Sequence, residues 1–75
     1  MINHLMKFRV KTAFIAVHRR SDGASEFIQL EPGTVFTVRG AVHSGMVNII
    51  HNRRILAVFL ADVKQRAERI STMVR

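Results

Sequence analysis

Lys7, Arg9 and Lys11 alternate with Phe8, Val10 and Thr12. A two-residue period separates polar from apolar side chains only in an extended backbone, so the chain opens as a half-buried β-strand. Past Ala13 the alternation fills in, with Phe14, Ile15, Ala16 and Val17 apolar in succession. The pattern predicts one long strand from Lys7 to His18. It enters the sheet with one wet face and bends until both faces are covered.

Turn formers punctuate the rest of the chain. Ser21, Asp22 and Gly23 mark a loop, and a short strand is predicted over Glu26–Leu30. In Glu31-Pro32-Gly33, proline presets φ at the first central position and glycine supplies φ > 0 at the second, a type II turn signal. Strands are predicted over Thr34–Arg39, Met46–His51 and Arg54–Leu60, with a turn at Gly40–Gly45. Asn52-Arg53 reads as a two-residue hairpin loop. The period then changes. Asp62 stands as an N-cap with Gln65 three residues on, and Val63, Ala67, Ile70 and Val74 share one face at helical spacing. A helix over residues 62–72 is predicted to cover one end of the sheet, or to dock on a neighbour.

These elements describe one mostly β domain spanning residues 1–75, five strands and a short C-terminal α-helix, with residues 1–6 as a loose N-terminal arm. At 75 residues a chain buries only about 60% of the surface it exposes when unfolded. With no cysteine, neither disulfides nor thiolate zinc can compensate, which leaves tight packing or oligomerisation. An apolar fraction of 48% suits a folded protein. No apolar run reaches the roughly 20 residues of a membrane span, and no secretory signal pattern precedes Val10. A cytoplasmic protein is expected.

The order of long bent strand, loop, short strand, Leu30-Glu31-Pro32-Gly33-Thr34, strand, turn, strand, tight hairpin, strand and helix resembles a Src-homology-3-like small β-barrel of bacterial type. The resemblance covers Phe8 to about Val63 and implies a five-stranded barrel, with the proline-glycine run at its diverging turn. The peptide-binding branch of that family uses tyrosine and tryptophan, and this chain has neither. A fainter likeness links Gly45-Met46-Val47-Asn48-Ile49-Ile50 to the pore strand of plasmid-type dihydrofolate reductase. Asn48 and Ile50 stand where that enzyme carries glutamine and tyrosine. An enzyme of that kind would need an oligomeric pore lined by Asn48 or His51.

Catalysis is otherwise not expected. No serine lies in a nucleophile motif, and the glycines are too far apart for a phosphate loop. The histidines, His4, His18, His43 and His51, lack metal-site spacing. No cofactor and no metal are implied. Charge is the stronger signal. The formal net charge is +7, and Lys7, Arg9, Lys11, Arg19 and Arg20 precede the first acid. Arg39, Arg53 and Arg54 form a second acid-free group. Such a distribution attracts polyanions, with nucleic-acid backbone the natural candidate. Phe8, Phe36 and Phe59 read as core, so sequence-specific base readout is not expected and a duplex backbone is the easier target. Polyanion binding is therefore expected from Lys7, Arg9, Lys11, Arg19, Arg20, Arg53 and Arg54. The competing view is that Lys7, Arg9 and Lys11 only guard an edge strand.

The apolar runs carry a second expectation. One of the two alternating sets in each run must face outward. Ile15, Val17, Leu56 and Val58, with Ile70 and Val74 from the helix, are taken as the outward set. Exposed apolar strips mark interfaces, so a homo-oligomer is expected.

Overall fold

The computed structural model describes residues 6–70. The predicted N-terminal arm and Val74 lie outside them, apart from Met6, which begins the first strand. The chain runs β1 (Met6–Val10), β2 (Phe14–Arg19), β3 (Ser25–Leu30), β4 (Val35–His43), β5 (Met46–His51), β6 (Arg54–Phe59), α1 (Leu60–Arg66) and β7 (Ala67–Ile70). It is mostly β with one short helix. The expected five-stranded barrel is replaced by seven strands in one open sheet, ordered β3-β2-β6-β5-β4-β1-β7. Every described pairing is antiparallel.

Two local events account for the extra strands. The predicted Lys7–His18 strand breaks after Val10, because the amides of Lys11 and Thr12 both donate to the carbonyl oxygen of Arg66, at 2.7 and 3.0 Å. The chain leaves the ladder there and resumes as β2. The predicted helix over 62–72 is also corrected. It starts earlier, at Leu60, directly from β6. Phe59, not Asp62, is the residue before its first turn, and no side chain caps it. The helix ends at Arg66, and Ala67–Ile70 extends along β1 with Val10 opposite Ala67 and Arg9 opposite Glu68. Val63 and Ala67 are both buried, so their spacing satisfied a helical reading. The open edge of β1 offered Ala67–Ile70 a ladder of backbone hydrogen bonds, and tertiary pairing overrode local propensity.

The turns follow the sequence closely. Thr34 N–H donates to Glu31 O at 3.1 Å, and Gly33 has φ +94°, which closes the predicted type II turn. Asn52 and Arg53 both have positive φ, 52° and 64°, as a type I′ hairpin requires. The turn expected at Gly40–Gly45 is tighter. β4 continues through an irregularity between Arg39 and His43, and the reversal falls at Ser44-Gly45, both at positive φ.

The sheet is strongly curled. Val10 and Phe14 are four residues apart, a reach of at most about 14 Å. In the sheet, β1 and β2 are separated by four strand spacings, about 19 Å if flat. The concave side holds the core: Val10, Phe14, Ala16, Leu30, Phe36, Val47, Ile49, Leu56, Val58, Val63 and Ala67 are buried. Phe36 stacks on Phe8 at 5.7 Å and takes the edge of Phe14 at 6.2 Å.

Candidate polyanion-binding face

Residues opposite each other in an antiparallel pair share a face, so the core residues fix the side of every strand. Lys7 and Arg9 lie on the convex side of β1. Lys7 stands opposite Thr37 of β4 and Ile70 of β7, and Arg9 opposite Val35 and Glu68. Register extends the first row onward, from Thr37 to Ile50 and from Ile50 to Ile55. Lys11 was expected to continue the Lys7–Arg9 ladder. It is exposed, but it belongs to the bend held by Arg66 and not to the strand.

The other basic residues divide between two sides. Arg19 ends β2 on the convex face, opposite Ser25. Val17 is opposite Ala57, and continuing that register brings Arg19 beside Ile55. Arg53 sits at the tip of the adjoining hairpin. Arg54 differs in phase from Ile55. It points to the concave side, where with Ile28, His51, Asn52 and Leu56 it lines a small depression of about 110 Å³. Arg20 reaches back to Asp22 at 3.5 Å. Arg39, part of the second basic group but not of the set expected to bind, lies on the convex face opposite Asn48.

The acids are all engaged locally. Glu68 meets Arg9 at 3.6 Å, Asp22 meets Arg20, Asp62 meets Arg66 at 3.2 Å, and Glu26 meets His18 at 3.5 Å. Glu31 accepts from Gln29 Nε2 at 3.0 Å. Residues 6–70 hold eleven lysines and arginines. Three of them (Arg9, Arg20 and Arg66) have a carboxylate within 4 Å. Eight therefore keep their charge without a carboxylate partner among the described residues.

The convex face also carries apolar side chains. Phe27 is 71% exposed, Phe59 54%, Ile55 52% and Ile15 44%, with Val17 and Ala57 half-buried between them. The expectation is corrected for Leu56 and Val58, which are fully buried; the outward set of β6 is Ile55, Ala57 and Phe59. Phe59 was expected in the core and is not there, and Phe27 was not singled out. A signal for both was present. The two-residue Asn52-Arg53 loop pairs Asn48 with Ala57. A polar Asn48 belongs outside, so Ala57 and its alternating neighbours Ile55 and Phe59 do too. Ile70 is half-buried on the convex side of β7, away from this strip.

A shallow depression of about 330 Å³ lies between Ala13, Phe14, Ile15, Phe59, Asp62 and Arg66. Asp62 and Arg66, one turn apart on α1, pair with each other beside it at 3.2 Å. Among the described residues no group of three histidines or carboxylates is placed to hold a metal ion. No described helix is long and apolar enough to cross a membrane.

Comparison with protein-family models, curated proteins and solved structures gives no match.

Proposed function

We propose that this chain is a non-enzymatic basic binding module that docks on nucleic-acid backbone or a related polyanion through its convex face. The observation that carries the reading is the distribution of charge. Eight cations have no carboxylate partner among the described residues, and Lys7, Arg19 and Arg39 stand on a face where the only strand acid is Glu68. Cations on extended strands present themselves at intervals of about 7 Å along one face, and the gain on binding comes from released counterions. The order of connections, with a diverging turn at Glu31–Thr34 and a strand after α1 returning to β1, supports a distant Src-homology-3-like relationship. The seven-stranded open sheet departs from that family's barrel.

Titration of a labelled DNA duplex and its single strand with the protein at several salt concentrations tests the reading. Affinity is expected to fall linearly with salt on logarithmic axes, and substituting Lys7, Arg19 and Arg39 together should flatten the line. Binding that ignores salt would remove the proposal.

A second reading, an assembly module forming a homo-oligomer, is favoured by the exposed strip of Ile15, Phe27, Ile55 and Phe59. Its sign is self-association at micromolar concentration, abolished by Ile15→Asp.

A further inference from the structure

Phe27 and Phe59 are the two aromatic side chains outside the core, and both lie on the convex face. Phe27 occupies the edge strand β3 and Phe59 the end of β6, with β2 between them. Register places Phe27 opposite Val17 and Val17 opposite Ala57; Phe59 is two residues further along β6. Two strand spacings and one two-residue step put the two Cα atoms about 12 Å apart, on a convex surface that splays the side chains outward. A stacked base occupies about 3.4 Å, so the rings cannot grip one base from both sides. Each offers a separate exposed surface, with Ile15 and Val17 as a low apolar floor between them.

We propose that this face is a stacking platform for single-stranded nucleic acid, one base lying on Phe27 and another on Phe59. The inference rests on the polyanion reading above and narrows it to unpaired strands. Aromatic rings set in a positively charged surface bind single strands because every base has a face to stack, whatever its sequence. A duplex keeps its bases paired and stacked on one another and offers these rings nothing. Arg39 stands in the same cross-strand row as Phe27, through Asn48, Ala57 and Val17, and Arg19 is two residues along from Val17. By register Arg19 lies one strand spacing and one two-residue step from Phe27, about 8 Å, and Arg39 lies two spacings and one step from Phe59, about 12 Å, within the reach of a nucleic-acid strand's backbone. No aspartate or glutamate occupies a convex position of β2, β3, β4, β5 or β6. The same charge argues against a second copy as the occupant. Two chains of net charge +7 meeting on this face would bring like charges together, because its strand acid Glu68 and the neighbouring Asp62 are already paired, with Arg9 and Arg66.

The test is fluorescence anisotropy with a short labelled thymidine oligonucleotide and, separately, a duplex of mixed sequence. The proteins are wild type, Phe27→Leu, Phe59→Leu and Phe27→Tyr. Leucine keeps the apolar character of an exposed site and removes the ring; tyrosine restores it. Circular dichroism checks that each variant folds. Each leucine variant is expected to lose about 5- to 150-fold in single-strand affinity. Its duplex affinity and salt slope should be unchanged, and Phe27→Tyr should bind as wild type. Leucine variants that hold the single strand as tightly as wild type overturn the platform while leaving salt-dependent backbone binding intact. Wild-type protein that holds neither nucleic acid overturns both readings. A stable oligomer in sedimentation that Phe27→Asp converts to monomer assigns the face to a second copy, and overturns the platform as well.

Discussion

Asn48 faces Ala57 across the β5–β6 hairpin, on the convex side of the sheet. That pairing turns Leu56 and Val58 into the core and leaves Ile55 and Phe59 outside. Residues adjacent in sequence should therefore respond very differently to truncation. Leu56→Ala should cost about 2–5 kcal/mol, the range for deleting a buried leucine side chain. Ile55→Ala should cost less than about 1 kcal/mol, because little of its burial is lost. Urea denaturation of the two variants separates the outcomes, and equal losses would contradict the assigned phase of β6.

Arg53 holds φ 64° at the hairpin tip, a region that side chains with a Cβ enter at a cost of about 1–2 kcal/mol. Arg53→Gly should raise unfolding free energy by roughly 1 kcal/mol through release of that strain. The same change removes one cation from the hairpin tip beside Arg19. A more stable protein with weaker salt-dependent binding is the expected pair of results, read by thermal melting and by titration of labelled DNA.

Arg9 and Lys7 share a strand face but differ in charge environment. Arg9 meets Glu68 at 3.6 Å, whereas Lys7 stands opposite Thr37 and Ile70. Both members of the Arg9–Glu68 pair are about half exposed, so the pair adds little to stability. It does neutralise one cation on the convex face. Glu68→Gln should tighten polyanion binding and steepen the salt slope. Lys7→Ala should lower the slope by about 0.7–0.9, and stability should hardly change in either case.

Gly33 is held at φ +94° within the Glu31–Thr34 turn, and its N–H donates to Val10 O at 2.8 Å. A Cβ there would meet no atom within 4 Å, so the penalty for substitution is conformational. Gly33→Ala should cost about 1–2 kcal/mol, measurable as a lowered urea midpoint with an unchanged slope.

Local chemistry made the turns readable. Pro32 and Gly33 dictate their own dihedrals, and Asn52 tolerates the left-handed region, so three strand boundaries followed directly. What the sequence hid is tertiary. The break at Lys11–Ala13 depends on a carbonyl more than fifty residues away, at Arg66. β7 exists because β1 has an open edge, and the helical spacing of Val63 and Ala67 masked it. For the convex face, Lys7 and Arg9 followed from alternation, whereas Arg19, read from the sequence as a loop residue, ends β2. Runs such as Ile55–Leu60 are apolar at every position and carry no phase of their own. Phe27 and Phe59 were accordingly misplaced or passed over until the partner strand, through Asn48, supplied the phase.

The ladder between β1 and β7 joins Val10 to Ala67 and Lys7 to Ile70, nearly the two ends of the described chain. Contacts so distant in sequence slow folding, because a long loop must close before they contribute. During synthesis the first strand therefore leaves the ribosome well before its last partner exists. It waits with one edge bare and its basic side chains already in solution, and the curl can be completed only after residue 70 has emerged.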